Sequence, residues 1–176
     1  MHPAPTLCTD RLILRAWRAE DFEPFATMMA HPDVALFLTA DRRPLDRAAA
    51  WRAMALFVGH WAMRGYGLFA VEERATGAFV GRVGPWRPDG WPDFEIGWSL
   101  ARPYWGRGYA TEAARAAGVW AFETFALQRV VSLIHVDNIA SQNVAMRLGE
   151  RPGVATLHAG LPHVIWEADQ ASWRRS

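Results

Sequence analysis

Cysteine is nearly missing from this chain: Cys8 stands alone among 176 residues. A lone thiol excludes an internal disulfide framework and a cysteine-based metal cluster. As a nucleophile Cys8 is poorly placed, because no His or Asp flanks it and it lies near the start of the sequence. Excess charge of one sign is also lacking, with Lys and Arg numbering 19 against 18 Asp and Glu. No overall field would draw the chain to nucleic acid or to an anionic membrane, so small or neutral partners are favoured. No run reaches the roughly 18 apolar residues of a membrane-crossing helix, and the opening MHPAPTLCTDRL lacks the charged and apolar regions of a secretory signal. A cytoplasmic location is the resulting expectation. Tyrosine is rare at three residues while tryptophan is abundant at ten, which points to aromatic packing and to an aromatic-lined pocket.

What is present fits one globular domain spanning residues 1–176, since 51% of the residues are hydrophobic and 21% charged. RLILRAW (11–17) alternates as a strand, and AEDFEPFATMMAH (19–31) has a start signal in Asp21 and helical apolar spacing. LDRAAAWRAMALFVGHWAMRG (45–65) reads as a longer helix stopped by Gly65, with a kink expected near Gly59. Three strands follow at 67–73, 79–84 and 94–100, the first two joined as a hairpin by RATGA. The Pro- and Gly-rich PWRPDGWPD (85–93) is a loop carrying Trp86 and Trp91. A helix after Arg102, a strand at 129–136, a short helix stopped by Gly149 and a hairpin turning at Ala159 and Gly160 complete the order. That order is α/β with a mixed sheet, and residues 94–136 form a strand–helix–strand unit whose strands are expected to run parallel.

The stretch RPYWGRGYATEAARAAGVWAFE (102–123) sets two glycines just ahead of a helix. Its small residues Ala110, Ala113, Ala114, Ala117, Gly118 and Ala121, with Phe122 and Phe125, recur at the spacing of one buried stripe. The helix can therefore sit close to the sheet. Its first turn leaves backbone N–H groups without intrahelical partners behind a loop with few side chains, which suits a phosphate or pyrophosphate. Arg107 and Thr111 offer a charge and a hydroxyl. A tight strand-to-helix turn accounts equally well for Gly106 and Gly108, and neither a three-glycine dinucleotide fingerprint nor a Walker lysine is present.

EIGWSLARPYWGRGYATEA resembles the acetyl-CoA-binding core of the GCN5-related N-acetyltransferases (GNAT), in particular the branch containing ribosomal-protein N-terminal acetyltransferases. HVDNIASQNVAMRLG is similar to the second conserved segment of that branch, and TDRLILRAW to its first strand, so the resemblance covers nearly the whole chain. It implies the GNAT acyl-CoA N-acyltransferase fold: a mixed, mostly antiparallel sheet with splayed central parallel strands and flanking helices. The family's Q/R-x-x-G-x-G/A segment, which wraps the CoA pyrophosphate, aligns with Trp105, Gly106, Arg107, Gly108, Tyr109 and Ala110, Trp105 standing where Gln or Arg is usual. The pantetheine arm would insert between the splayed strands and bond edge groups near Trp98, Ser99 and Leu100. Asn138, Ser141 and Asn143 match positions near the arm, and Asn138 also reads as a helix N-cap.

Acetyl transfer to an amine needs a neutral nucleophile, and an α-amine titrates near 8 and a lysine near 10.4. Something must take a proton, something must stabilise the thioester oxygen, and something must assist the departing thiolate. Glu95 is the first choice of base, with a structural carboxylate as its alternative. The branch assigns Ser141 as proton donor to the sulfur, and none of Tyr66, Tyr104 and Tyr109 lies after the last helix to replace it. His135 is a less favoured base, more in keeping with packing or capping. His158 and His163 read as surface residues with no acidic partners at metal-ligand spacing, so no metal is expected. Trp86 and Trp91 could wall the acceptor site, with Asp89 and Asp93 nearby for a cationic acceptor. The resemblance thus implies an acetyl-CoA-dependent N-acetyltransferase acting on an amine, either a protein N-terminus or a small molecule, with a homodimer as one admissible assembly. A non-catalytic acyl-CoA-binding module and an ATP-binding regulator are the competing classes.

Overall fold

A computed structural model describes residues 4–175. Its strands form one eight-stranded sheet in the order β1-β2-β3-β4-β5-β6-β8-β7. β1 (Leu7–Cys8), β2 (Leu12–Arg15), β3 (Phe69–Glu73), β4 (Phe79–Trp86) and β5 (Glu95–Leu100) pair antiparallel in sequence order. β6 (Arg129–His135) then runs parallel to β5, and the hairpin of β7 (Arg151–His158) and β8 (Leu161–Asp169) closes the far side. The architecture is the α/β arrangement expected from the sequence.

Helices cover both faces. α1 (Phe22–Met29), α2 (Pro32–Ala35) and α3 (Arg47–Arg64) precede the central strands, and Phe25, Phe57, Phe79 and Trp86 share one apolar cluster with Met28 and Leu68. α4 (Tyr109–Phe125) crosses from β5 to β6 and buries Ala113, Ala114, Ala117, Gly118, Ala121 and Phe122, the stripe read from its spacing. Gly118 is needed there for packing, since a Cβ would come within 2.3 Å of the Trp173 indole. That indole belongs to α6 (Gln170–Arg175), is fully buried, and donates to the Arg115 carbonyl. α5 (Ile139–Arg147) follows β6, capped by Asn138.

Two expectations need correction. α3 runs unbroken through Gly59, where a Cβ would meet nothing within 4 Å, so the glycine marks open surface and not a bend. Pro85 and Trp86 belong to β4, because their cross-strand partners Ile96 and Glu95 extend the ladder beyond the apolar run. β1, α2 and α6 went unread, being too short or too near the end to show a period.

The sheet opens in its middle. β5 and β6 share one aligned pair, Glu95 with Val131, where the Val131 N–H donates to the Phe94 carbonyl at 3.0 Å. Past it, side chains take the place of ladder bonds: the Ser132 hydroxyl meets the Ile96 carbonyl at 2.9 Å, and the Leu133 N–H meets a Glu95 carboxylate oxygen at 3.4 Å. β6 meanwhile stays paired with β8 along its length. The central strands therefore splay toward the C-terminal end of β5, as the sequence reading anticipated.

Candidate active site

Two cavities meet at the splay. The larger, a groove of about 1470 Å³, is lined by Trp98, Ser99 and Leu100 of β5, by Trp105, Gly106 and Gly108 of the following loop, and by Tyr109, Ala110 and Thr111 at the start of α4. Asn138, Ser141 and Asn143 line its opposite wall. Gly106 and Gly108 hold φ values of 75° and 78°, in the left-handed region that other residues enter at a cost. The tight-turn reading of the glycines is thus correct, and it is compatible with binding: no side chain caps the α4 N-terminus, and a Cβ at Gly106 would meet nothing within 4 Å. The first-turn N–H groups are available to an anion in the groove.

Residues far away in sequence brace this loop. Arg11 donates to the Arg107 carbonyl at 2.9 Å and to the Glu112 carboxylate at 2.7 Å, and Thr9 donates to Glu112 at 2.6 Å. Trp105 donates through its indole to the Leu100 carbonyl at 2.7 Å, tying the loop to the end of β5. The Leu100 carbonyl is therefore occupied, and Trp98 remains the residue whose backbone groups face the gap, by the two-residue alternation from Phe94 and Ile96. Arg107 departs from its expected place. Its side chain stands over the Tyr104 ring and beside Glu73, and it is absent from the groove lining. Tyr109 likewise commits its hydroxyl to Glu73 at 2.7 Å, leaving its backbone for the groove.

The smaller cavity, about 200 Å³, opens on the other side of the splay and is lined by Glu95, Trp86, Trp91, Arg82, His135 and His163 among others. Glu95 is buried, accepts a hydrogen bond from the Trp91 indole, and faces the pocket beside Gly97. Burial pushes its pKa up to about 7, against the opposing pull of the Trp91 and Leu133 donors and of the Arg82 charge. A carboxyl balanced near neutrality suits a general base. Behind it, Glu150 is buried with its pKa raised to about 8 by burial, and its carboxyl is hydrogen-bonded to the Ser132 hydroxyl at 2.8 Å.

Trp98, Ser99, Asn138 and Ser141 line both cavities, so their common boundary is where two bound molecules would touch. The Asn138 side chain accepts the Ser141 N–H at 3.1 Å, which is the N-cap reading, and still borders both cavities. The Trp98 indole donates to the Ser141 oxygen at 3.3 Å, leaving the serine's own hydrogen free to donate.

Of His135, His158 and His163, the last two fall differently from expectation. His135 is buried, its Nδ1 accepts the Asp137 N–H at 3.1 Å, and Arg42 touches its Nε2. Burial and Arg42 hold its pKa below the usual histidine value, in line with a packed, partnered residue. His163 is buried and His158 half-buried, so neither is a surface residue: the β7–β8 turn brings both to the smaller pocket, His158 against Trp91 with ring centroids 4.8 Å apart. Among the described residues, no group of three or more acidic, His or Cys side chains is arranged to hold a metal. Asp93 is engaged with Arg129 at 2.9 Å. The residue that sequence reasoning missed is Arg82, whose signal was visible as one charge inside the apolar strand FVGRVG.

The sequence profile of the acetyltransferase (GNAT) domain matches residues 11–151. The uncharacterized protein YkkB of Bacillus subtilis (strain 168) is 32% identical over 156 residues, covering 85% of this chain and 87% of its own. The crystal structure of an acetyltransferase from Agrobacterium tumefaciens superposes with a TM-score of 0.84 at 31% identity, over 97% of both chains. A putative ribosomal-protein-serine acetyltransferase from Vibrio cholerae shares the fold, with a TM-score of 0.76 at 22% identity over 96% of this chain and 99% of its own. With its splayed sheet, glycine loop and paired cavities, the chain belongs to the GNAT family of N-acetyltransferases.

Proposed function

We propose that the protein transfers an acetyl group from acetyl-CoA directly to a primary amine, with both substrates bound at once. The observation that carries this is the meeting of the two cavities at Trp98, Ser99, Asn138 and Ser141. The groove fits acetyl-CoA: the glycine turn and uncapped α4 N-terminus would receive the pyrophosphate, the free edge of β5 at Trp98 the pantetheine, and Asn143 and Thr111 supply further polar groups. Trp105 supports this site by holding the loop to β5, and Arg107 contributes through its backbone. Bound acetyl-CoA supplies the activated acetyl thioester.

The chain's own residues manage the protons. An amine entering the smaller pocket forms its new bond to the acetyl carbon as the carbon–sulfur bond breaks. The Glu95 carboxylate takes the proton released by the amine nitrogen, directly or through one water. Ser141 offers its hydroxyl hydrogen to the departing sulfur and recovers it from solvent. Trp86 and Trp91 wall the amine from bulk water. A protein N-terminal α-amine is an acceptor of this kind, in keeping with a Vibrio cholerae neighbour named a putative ribosomal-protein-serine acetyltransferase, and so is a small molecule.

The test is thiol release from acetyl-CoA, measured with short peptides of varied N-termini, polyamines, aminoglycosides and amino acids. Release dependent on one acceptor class, falling about 10²- to 10⁴-fold in Glu95→Gln, is the expected result. An unchanged rate in that variant would remove Glu95 as the base. No release with any acceptor, from protein that acetyl-CoA still protects against heat, favours a binding module instead.

A further inference from the structure

The acceptor-side pocket contains a guanidinium whose buried Nε has no hydrogen-bond partner. Arg82 is on β4, and its register partner on β5 is Ser99. The guanidinium Nε is shielded from solvent and has no hydrogen-bond partner, while the side chain as a whole keeps a partial opening to the pocket. One face of the guanidinium lies over the Phe57 ring, 4.8 Å from its centroid, which offers no acceptor. The Ser99 hydroxyl, also buried and on the pocket wall, is unpartnered as well. Side chains directly opposite on antiparallel strands have Cβ atoms about 5 Å apart, so two unsatisfied donors stand side by side. Leaving such groups buried and unpaired is costly, and arginine most so. Glu95 is the carboxylate whose charge reaches Arg82, and as a base near neutrality it compensates that charge only in part.

We propose that the acceptor amine carries a carboxylate, which docks on the Arg82 guanidinium and the Ser99 hydroxyl while the amine points to Glu95. This rests on the acetyltransferase reading of the same pocket and adds the substrate's second group. Guanidinium recognises carboxylates through paired donors, and a missing anion leaves those donors orphaned, so selection against a neutral analogue is strong. Glu95 and Ser99 lie four residues apart on one strand face, about 13 Å between Cα atoms at the usual rise, which the long Arg82 and Glu95 side chains shorten. The carboxylate has two chemical sources: that of a free amino acid, or the acidic side chain at a peptide's N-terminus.

The experiment compares acids with matched neutral partners on the full chain saturated with CoA, by calorimetric binding, and then by thiol release with acetyl-CoA. The probes are glycine, β-alanine, 4-aminobutyrate, 6-aminohexanoate and lysine, each against its primary amide. Tripeptide amides beginning with Asp or Glu, against Asn or Gln, test the second source. At least one acid is expected to bind about 30- to 100-fold tighter than its amide, the scale of one charge-assisted contact, with the ratio collapsing toward one in Arg82→Gln and partly kept in Arg82→Lys. Ser99→Ala lowers the ratio less and covers the case in which Arg82→Gln fails to fold. Preference among the free acids names the first source, and preference confined to the acidic peptides names the second. Amides equal to their acids across the set in the wild-type protein, or no binding by either, overturn the proposal. Arg82-dependent binding without thiol release overturns the transfer reading and leaves the anion site standing. Release that ignores the carboxylate does the reverse.

Discussion

Glu95 shows how one side chain can be tuned by its surroundings. Burial lifts its pKa to about 7 while the Trp91 indole pulls it down. With Glu95 as the proposed base, which must be ionised to act, kcat/KM should rise with pH through about 7, and that limb should vanish in Glu95→Gln. Trp91→Phe removes the donor that favours the carboxylate, so the limb should move to higher pH while the profile keeps its shape. The effect on stability has the opposite direction. Folded-state pKa values of about 7 for Glu95 and about 8 for Glu150, raised from an ordinary 4.5, mean that the native state holds extra protons in between. Their contribution is fully present below pH 4.5 and is lost as pH rises through 7 and 8. Glu150→Gln should therefore flatten the fall in melting temperature between pH 6 and pH 8.5, which a thermal scan at the two pH values measures.

At the scale of single elements, α4 carries two different glycine requirements. Gly118 is needed for packing against Trp173, so Gly118→Ala should destabilise by about 1–3 kcal/mol in urea unfolding without altering the loop. Gly108 is needed for its backbone angle, so Gly108→Ala should strain the turn by about 1–2 kcal/mol and weaken acetyl-CoA binding. The stripe that buries α4 was legible because seventeen residues show a helical period. β1 and α2, with two and four residues, show none. The positions of Glu95 and Ser141 at the cavities were legible from their flanking motifs, whereas His158 and His163 reach the pocket only through a hairpin register that no local pattern encodes. Arg82 was visible as an oddity, but its lack of a partner is a property of two paired strands and a helix together. The bracing of the glycine loop by Arg11 and of the first turn of α4 by Thr9, about a hundred positions away, was hidden for the same reason.

For the molecule as a whole, ligand and fold should be linked. Acetyl-CoA at a hundred times its Kd should add about 2.7 kcal/mol, roughly 5–11 °C in melting temperature for a chain of this size. Gly106→Val, which places a branched side chain at a left-handed position facing the groove, should abolish most of that shift while the unliganded protein still melts cooperatively.

An eight-stranded sheet joined at its centre by one aligned pair has a seam. On one side five strands form a plate, on the other three, and α4 links β5 of the first to β6 of the second. Ser132 is the rivet at the seam, bonded to Ile96 across it and to Glu150 behind it. A cofactor arm laid along the open edge of β5 would continue the ladder where β6 has left it. Amide hydrogen exchange in β5 and β6 should then slow on acetyl-CoA binding, and Ser132→Ala should quicken it in the unliganded protein. The opening proposed to admit the cofactor arm and the weakest line in the sheet are one feature, so binding there should leave the molecule at its stiffest when it is loaded to react.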